Sequence, residues 1–165
     1  MKTTTEPFDP ILLRSFYGRI PSGVLVLAAM VDGSPVGMAV SSFTNVSLDP
    51  PLVVVSIRNE SNTWPLLANA STIGASILAQ SQSVCGMQLS GSAMDNRFDS
   101  IDYSVTATGA IVIDGASAWF EASPAEPVPA GDHALVLLTL RSFASGADQA
   151  PLLFYRSKFA AVRDA

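Results

Sequence analysis

One cysteine and one histidine are present in 165 residues, and only 14% of the side chains are charged. A single cysteine excludes an internal disulfide, so a reducing, cytoplasmic setting is the expectation. One histidine and one cysteine leave too few of the usual ligands for a zinc site, and no metal is expected. Long apolar runs are missing as well. The longest, VLVLAAMV at 24–31, falls far short of the roughly 20 residues a spanning helix needs, so no membrane association is expected. The N-terminal MKTTTEPFDP lacks the apolar centre of a secretory signal. Positive charge is scarce: 9 Lys and Arg against 14 Asp and Glu give a net charge of -5, which argues against nucleic-acid binding. A Gly-x-Ser-x-Gly elbow, a Walker loop and a Rossmann glycine pattern are all absent, which turns any enzymatic reading toward cofactor chemistry.

What is there is apolar. A hydrophobic content of 48% exceeds what a disordered chain carries and suggests surface buried against a second subunit. The length fits a single domain, residues 1–165, with a core from about 10 to 162. Asp9 followed by Pro10 reads as a helix start, with Ile11, Leu12, Phe16 and Ile20 near one face. GVLVLAAM and VGMAVS read as strands joined by an Asp-Gly hairpin turn. Leu52 to Ile57 reads as the third and most buried strand, after a Pro-Pro pair expected to lie outside the sheet. NTWPLLANAS reads as a short helix capped by Asn62 or Thr63, TIGASIL as a strand, and SQSVCGMQLSG as a helix starting near Ser81. Residues 91–104 read as a loop. AIVI, ASAWFEAS, HALVLLTLRSF, PLLFY and KFAAV complete a set of strands joined by tight turns, which implies an antiparallel barrel with few, short helices.

Two groups of residues could carry chemistry. Ser41, Ser42, Thr44, Asn45 and Ser47 follow one strand, and Ser61, Asn62 and Thr63 follow another. Hydroxyls and free backbone N–H groups suit a phosphate or polyol, with Arg58 as a cationic partner; the alternative is ordinary turn chemistry. His133, beside Asp132 at the start of a strand, is either a donor near a reacting group or a structural residue. Cys85, among apolar helix positions with no basic neighbour, reads as an inert buried thiol.

In order and spacing, GRIPSGVLVLAA, DGSPVGMAVSSFTNVSLDPPLVVVSI, NESNTWPLL, GASILAQSQ, AGDHALVLL and PLLFYRSKFAAV resemble the flavin reductase-like, FMN-binding split-barrel family. The resemblance implies a mainly β fold: an antiparallel, Greek-key split barrel with a few short helices, forming a homodimer. It implies an NAD(P)H:flavin oxidoreductase that takes hydride from NADH or NADPH, reduces FMN or FAD, and supplies reduced flavin to a partner monooxygenase. By the same resemblance, Ala39, Val40 and Ser41 would line the flavin ring, while Ser42 and the Asp49–Pro50 turn would shape the ring and ribityl side. Arg58, Asn59, Ser61 and Thr63 would meet the phosphate. Ala79, Gln80 and Gln82 would touch the flavin from another strand end. His133 would lie at the redox face, with Phe98 and Tyr155 as pocket walls. A flavin carrier without turnover, and a flavin-dependent oxygenase or oxidase on the same barrel, remain alternatives.

Overall fold

The computed structural model describes residues 3–91, 96–146 and 148–162. Helix α1, Pro10–Tyr17, begins as expected: the Asp9 carboxylate accepts the N–H groups of Ile11 and Leu12 at 2.7 and 3.1 Å. After the two-residue strand β1, Ser22–Gly23, come β2, Leu25–Val31, and β3, Ser34–Val40. They are joined by Asp32 and Gly33, both at positive φ, as a two-residue hairpin turn demands. Strand β4, Thr44–Leu48, pairs with β5, Pro51–Arg58. Helix α2 is Trp64–Leu67, β6 is Ile73–Ile77, and a short 3-10 turn at Gln80–Gln82 leads into α3, Ser83–Ser90. The remaining strands are β7, Tyr103–Val105; β8, Ile111–Ile113; β9, Ala118–Pro124; β10, Val128–Ala130; β11, His133–Ser145; β12, Leu152–Tyr155; and β13, Lys158–Ala161.

The main sheet runs β3-β2-β6-β9-β11-β5-β4, with β10 added to β11, and all of its pairings are antiparallel. Its two ends, β3 and β4, are consecutive in the chain, so the sheet curls without closing on itself through hydrogen bonds. This is the expected split barrel. Two smaller sheets, β1-β12-β13 and β7-β8, sit outside it.

Two cores explain the apolar composition. Leu25, Leu27, Val53, Val55, Ile57, Leu67, Phe120, Val136 and Leu138 fill the barrel. Val24, Val26, Ala28, Leu78, Leu89, Ile111 and Leu152 form a second cluster outside it, beneath α3 and the β7-β8 hairpin. Strand β2 divides them, with alternate side chains going to opposite cores. At the crossing of β6 and β8 there is no room for a side chain: a Cβ on Gly74 would lie 2.0 Å from the Ile111 carbonyl oxygen.

Several expectations need correction. The most buried strand is not Leu52 to Ile57, because β5 buries only Val53, Val55 and Ile57 on one face. Pro51 opens that strand rather than lying outside the sheet, a place where a missing N–H costs no ladder bond. TNVSL, given no element in the sequence, is strand β4; it lies at a sheet edge and none of its five residues is buried, so no buried face marked it. Within the expected loop at 91–104, residues 92–95 lie outside those described, and Tyr103 already belongs to β7. Thr63, one of the two expected caps, stands at the N-cap of α2 but its side chain makes no capping bond; the Ser61 hydroxyl instead accepts the Trp64 N–H at 3.1 Å.

Candidate active site

An open cleft of about 450 Å³ lies where the end of β3, the end of β5, the loop before α2, the end of α3 and the start of β11 converge. Its apolar wall is Met38, Val40, Ile57 and Leu89; its polar rim includes Ser41, Arg58, Ser61 and His133. The convergence follows from pairing. The β11–β5 register sets His133 opposite Arg58, which brings the lone histidine and a cation together at the mouth of the cleft.

The hydroxyls are less free than the sequence suggests. Ser42 Oγ accepts the Ser56 N–H at 3.0 Å and donates to the Ser56 carbonyl at 2.8 Å, acting as the strand partner that β5 lacks at that level. Ser61 holds the first turn of α2, while its proton meets only the Met38 sulfur at 4.0 Å. Thr63 is buried, and its hydroxyl accepts from Arg97 Nη1 at 2.8 Å. A hydroxyl that accepts in this way keeps its own proton to donate.

Arg97 lines the cleft and was missed by sequence reasoning. Its Nη1 also donates to the Gly37 carbonyl at 3.0 Å, and its Nη2 donates to the Gly91 carbonyl. One guanidinium thus ties β3, the loop before α2 and the end of α3 around the cleft. It sits in a stretch without periodicity, which gave no local signal for it. Glu60, Asn62, Ser90 and Gly91 also line the cleft without having been expected. Arg58, Arg97 and Glu60 are the formally charged side chains of the cleft lining among the described residues.

His133 is half-buried, and its Nδ1 lies 2.8 Å from Asp132 Oδ1. The hydrogen bond to His133, followed by the imidazole's charge, holds the Asp132 carboxyl below the usual aspartate range. An ionised carboxylate can only accept, so Nδ1 carries the proton and Nε2 is left uncommitted among the described residues. Asn59 sits behind this turn: its N–H donates to the Asp132 carbonyl and its Nδ2 to the Gly131 carbonyl, each at 3.1 Å. Gly131 has φ 71°, where glycine is favoured.

Of the sequence-predicted residues, Ala39, Val40, Ser41, Ser42, Arg58, Ser61, Thr63 and His133 line the cleft. The others do not. Asn59 braces the histidine turn. Asp49 and Pro50 form the β4–β5 turn. Ala79 is fully buried, its N–H bonded to Gln82 Oε1, while Gln82 Nε2 reaches the Asp114 carbonyl. Gln80 donates its N–H to the Ala150 carbonyl. Phe98 packs edge-on to Tyr103 in the outer core, and Tyr155 lies on β12 beneath the Arg156 guanidinium. Cys85 is inert as read, burial pushing its thiol up to about 11.

Comparison with known proteins identifies the family. Residues 17–163 match the model of the flavin reductase like domain. The chain is 34% identical over 153 residues to a flavin reductase of Pseudomonas putida, covering 92% of this chain and 89% of that protein. It is 30% identical to the reductase subunit HsaB of a flavin-dependent monooxygenase from Rhodococcus jostii, covering 95% of this chain and 80% of that one. By contrast, it spans 45% of a probable flavin reductase of Rhizobium meliloti, to which it is 31% identical over 85% of its own length. Among solved structures, the NADH:FAD oxidoreductase SgcE6 of Streptomyces globisporus superposes with a TM-score of 0.91 at 27% identity, each chain covered in full. The same enzyme in complex with NAD and FAD fragments gives 0.89 at 28% identity, over 99% of this chain and 98% of that one. The chain belongs to the flavin reductase-like family.

Proposed function

We propose that the cleft between β3, β5 and β11 is where a flavin is held for reduction by a nicotinamide nucleotide. The protein is an NAD(P)H:flavin oxidoreductase, and the observation that carries the assignment to this cleft is the register pairing of Arg58 with His133 beside an apolar wall. The residues present fit a flavin. Met38, Val40 and Ile57 suit a flat ring, Ala39 and Ser41 offer main-chain groups at its edge, and a volume of about 450 Å³ falls within the ligand-pocket range. Arg58, Ser61 and Thr63 would hold the phosphate, Arg58 by charge and the hydroxyls by the protons their present acceptor roles leave free. The bound flavin supplies the hydride-accepting chemistry. The chain's own part is positioning: Arg97 holds the three walls in place, and His133, oriented by Asp132, borders the face left open for the nicotinamide.

Residues 10 to 162 would act as one domain. By analogy with the monooxygenase reductase subunit from Rhodococcus jostii, the reduced flavin would pass to a partner monooxygenase. A homodimer is the favoured assembly: Leu12 at 58%, Phe16 at 60%, Ile20 at 64%, Phe143 at 77% and Leu48 at 97% exposure need a cover.

Purified protein should consume NADH or NADPH steadily with free FMN or FAD, and should bleach the flavin under anaerobic conditions. Tight flavin binding without nucleotide consumption would make it a carrier instead. Light scattering at micromolar concentration should give twice the 17.3 kDa chain mass. A clean monomer would overturn the homodimer.

A further inference from the structure

A second cavity, of about 430 Å³, lies outside the cleft between the C-terminal half of α1 and the β12–β13 turn. Arg14 and Arg19 line it from one side and Arg156 from the other, with Ser15 and Ser157 between them and no carboxylate in the lining. Three of the chain's 9 basic residues therefore meet in a lining that holds no acidic side chain among the described residues. None of the three arginines forms a salt bridge among the described residues.

The turn that presents Arg156 is costly. Arg156 and Ser157 both have positive φ, 49° and 60°, values that favour Asn and Gly in such a hairpin. The chain's other turn of this kind uses the favoured Asp32 and Gly33. The Arg156 N–H is bonded to the Gly18 carbonyl at 2.8 Å, and its guanidinium rests 5.2 Å from the centre of the Tyr155 ring. The arginine is thereby pre-positioned against the end of α1. Strain kept at an exposed turn points to use of its side chains.

The hairpin that carries Arg156 also reaches the edge of the cleft. Phe154 and Phe159 are cross-strand partners two residues from the turn, roughly 7 Å along the hairpin. They line a niche of about 90 Å³ together with Ala39, Val40 and Ser41, which belong to the cleft as well. At about 100° per residue, Ile11 shares the groove face of α1 with Arg14, Ser15 and Gly18 and is itself 79% exposed, while Leu12 and Phe16 lie about a third of a turn away.

We propose that this arginine groove binds the adenylate end, the adenosine and its own phosphate, of a dinucleotide whose reactive ring occupies the cleft. FAD and NAD(P)H share that chemistry; FMN and reduced nicotinamide mononucleotide lack it. The proposal rests on the flavin-reductase reading of the cleft. Guanidinium groups suit it, since they pair with phosphate oxygens in bidentate fashion.

The test compares steady-state kinetics of the wild type with the R14Q/R19Q/R156Q variant. The KM of one dinucleotide should rise about tenfold, as expected for loss of charge-assisted hydrogen bonds, with kcat within about twofold. A rise for FAD but not FMN assigns the groove to the flavin. A rise for NADH but not reduced nicotinamide mononucleotide assigns it to the hydride donor. The R14Q/R19Q variant, which leaves the strained turn untouched, should show the same direction. Unchanged KM values for both dinucleotides would overturn the proposal, as would a changed particle mass in light scattering with KM unaltered, which would make the arginines subunit contacts. Failure of the wild type to reduce any flavin would instead remove the reading of the cleft.

Discussion

Strands β2 and β5 are both rich in apolar residues, LVLAAMV against PLVVVSIR, yet they live in different surroundings. In β2, Leu25, Leu27 and Ala29 enter the barrel while Val26 and Ala28 enter the outer core, so neither face is free. In β5, Val53, Val55 and Ile57 point inward, and the other face, with Leu52, Val54 and Ser56, stays half-exposed. A strand buried on both faces can only hold the fold. A strand with one free face can end in Ser56 and Arg58 and serve a site, which is why hydrogen-bonding residues bracket β5 and not β2.

The sharpest way to break that contrast is at the crossing behind β2. Gly74 pairs with Ala28, and any Cβ there would collide with the backbone of β8. Gly74→Ala should cost more than about 4 kcal/mol, and little folded protein should be recovered by circular dichroism. A soluble variant with native melting behaviour would show that β8 can shift away.

The two strands should then differ in their tolerance of truncation. Leu27→Ala should cost about 3 kcal/mol and Val26→Ala about 2 kcal/mol in urea unfolding, because each leaves a cavity in a different core. Val54→Ala, on the half-exposed face of β5, should cost under about 1 kcal/mol. Similar losses at Val26 and Val54 would mean that β5 is also covered on both sides, as it would be beneath a second subunit.

This contrast also marks what could be read in the sequence. The Asp9 cap, the Asp32–Gly33 turn and the alternating strands follow from local chemistry, and the structure has them where expected. Eight of the site candidates line one cleft because the family pattern carried their spacing. What escaped depends on distant partners. β4 has no buried face, so nothing in TNVSL separated a strand from a loop. Arg97 works by reaching the Gly37 and Gly91 carbonyls and the Thr63 hydroxyl, contacts that no local pattern encodes.

At the functional end of β5, Arg58→Ala should weaken FMN by about 1.5–3 kcal/mol, with much less effect on riboflavin, the loss expected for one charge-assisted hydrogen bond to a phosphate. Fluorescence titration with both flavins reads this directly. Equal losses would put the phosphate elsewhere, with the arginine groove beside α1 as the next place to look.

The smallest effect is expected from His133, across the ladder from Arg58. Hydride transfer needs the two rings held in contact more than it needs a proton, so His133→Ala should slow single-turnover flavin bleaching by about tenfold or less, with flavin affinity nearly unchanged. A loss of about a hundredfold or more would make the imidazole a general acid. The pH dependence separates these roles further. Asp132 is held below the usual aspartate range first by its hydrogen bond to His133 and then by the ring's charge. A depressed carboxylate contributes stability that is present above its unfolded-state pKa and lost as pH falls through the lower folded value. Removing His133 therefore lets Asp132 titrate nearer its ordinary value, and in carboxyl-detected NMR its midpoint should move up. If the rate falls while Asp132 does not move, the pair is not formed in solution. If Asp132 moves while rate and nicotinamide affinity stay the same, His133 serves the turn it stands on and not the reaction.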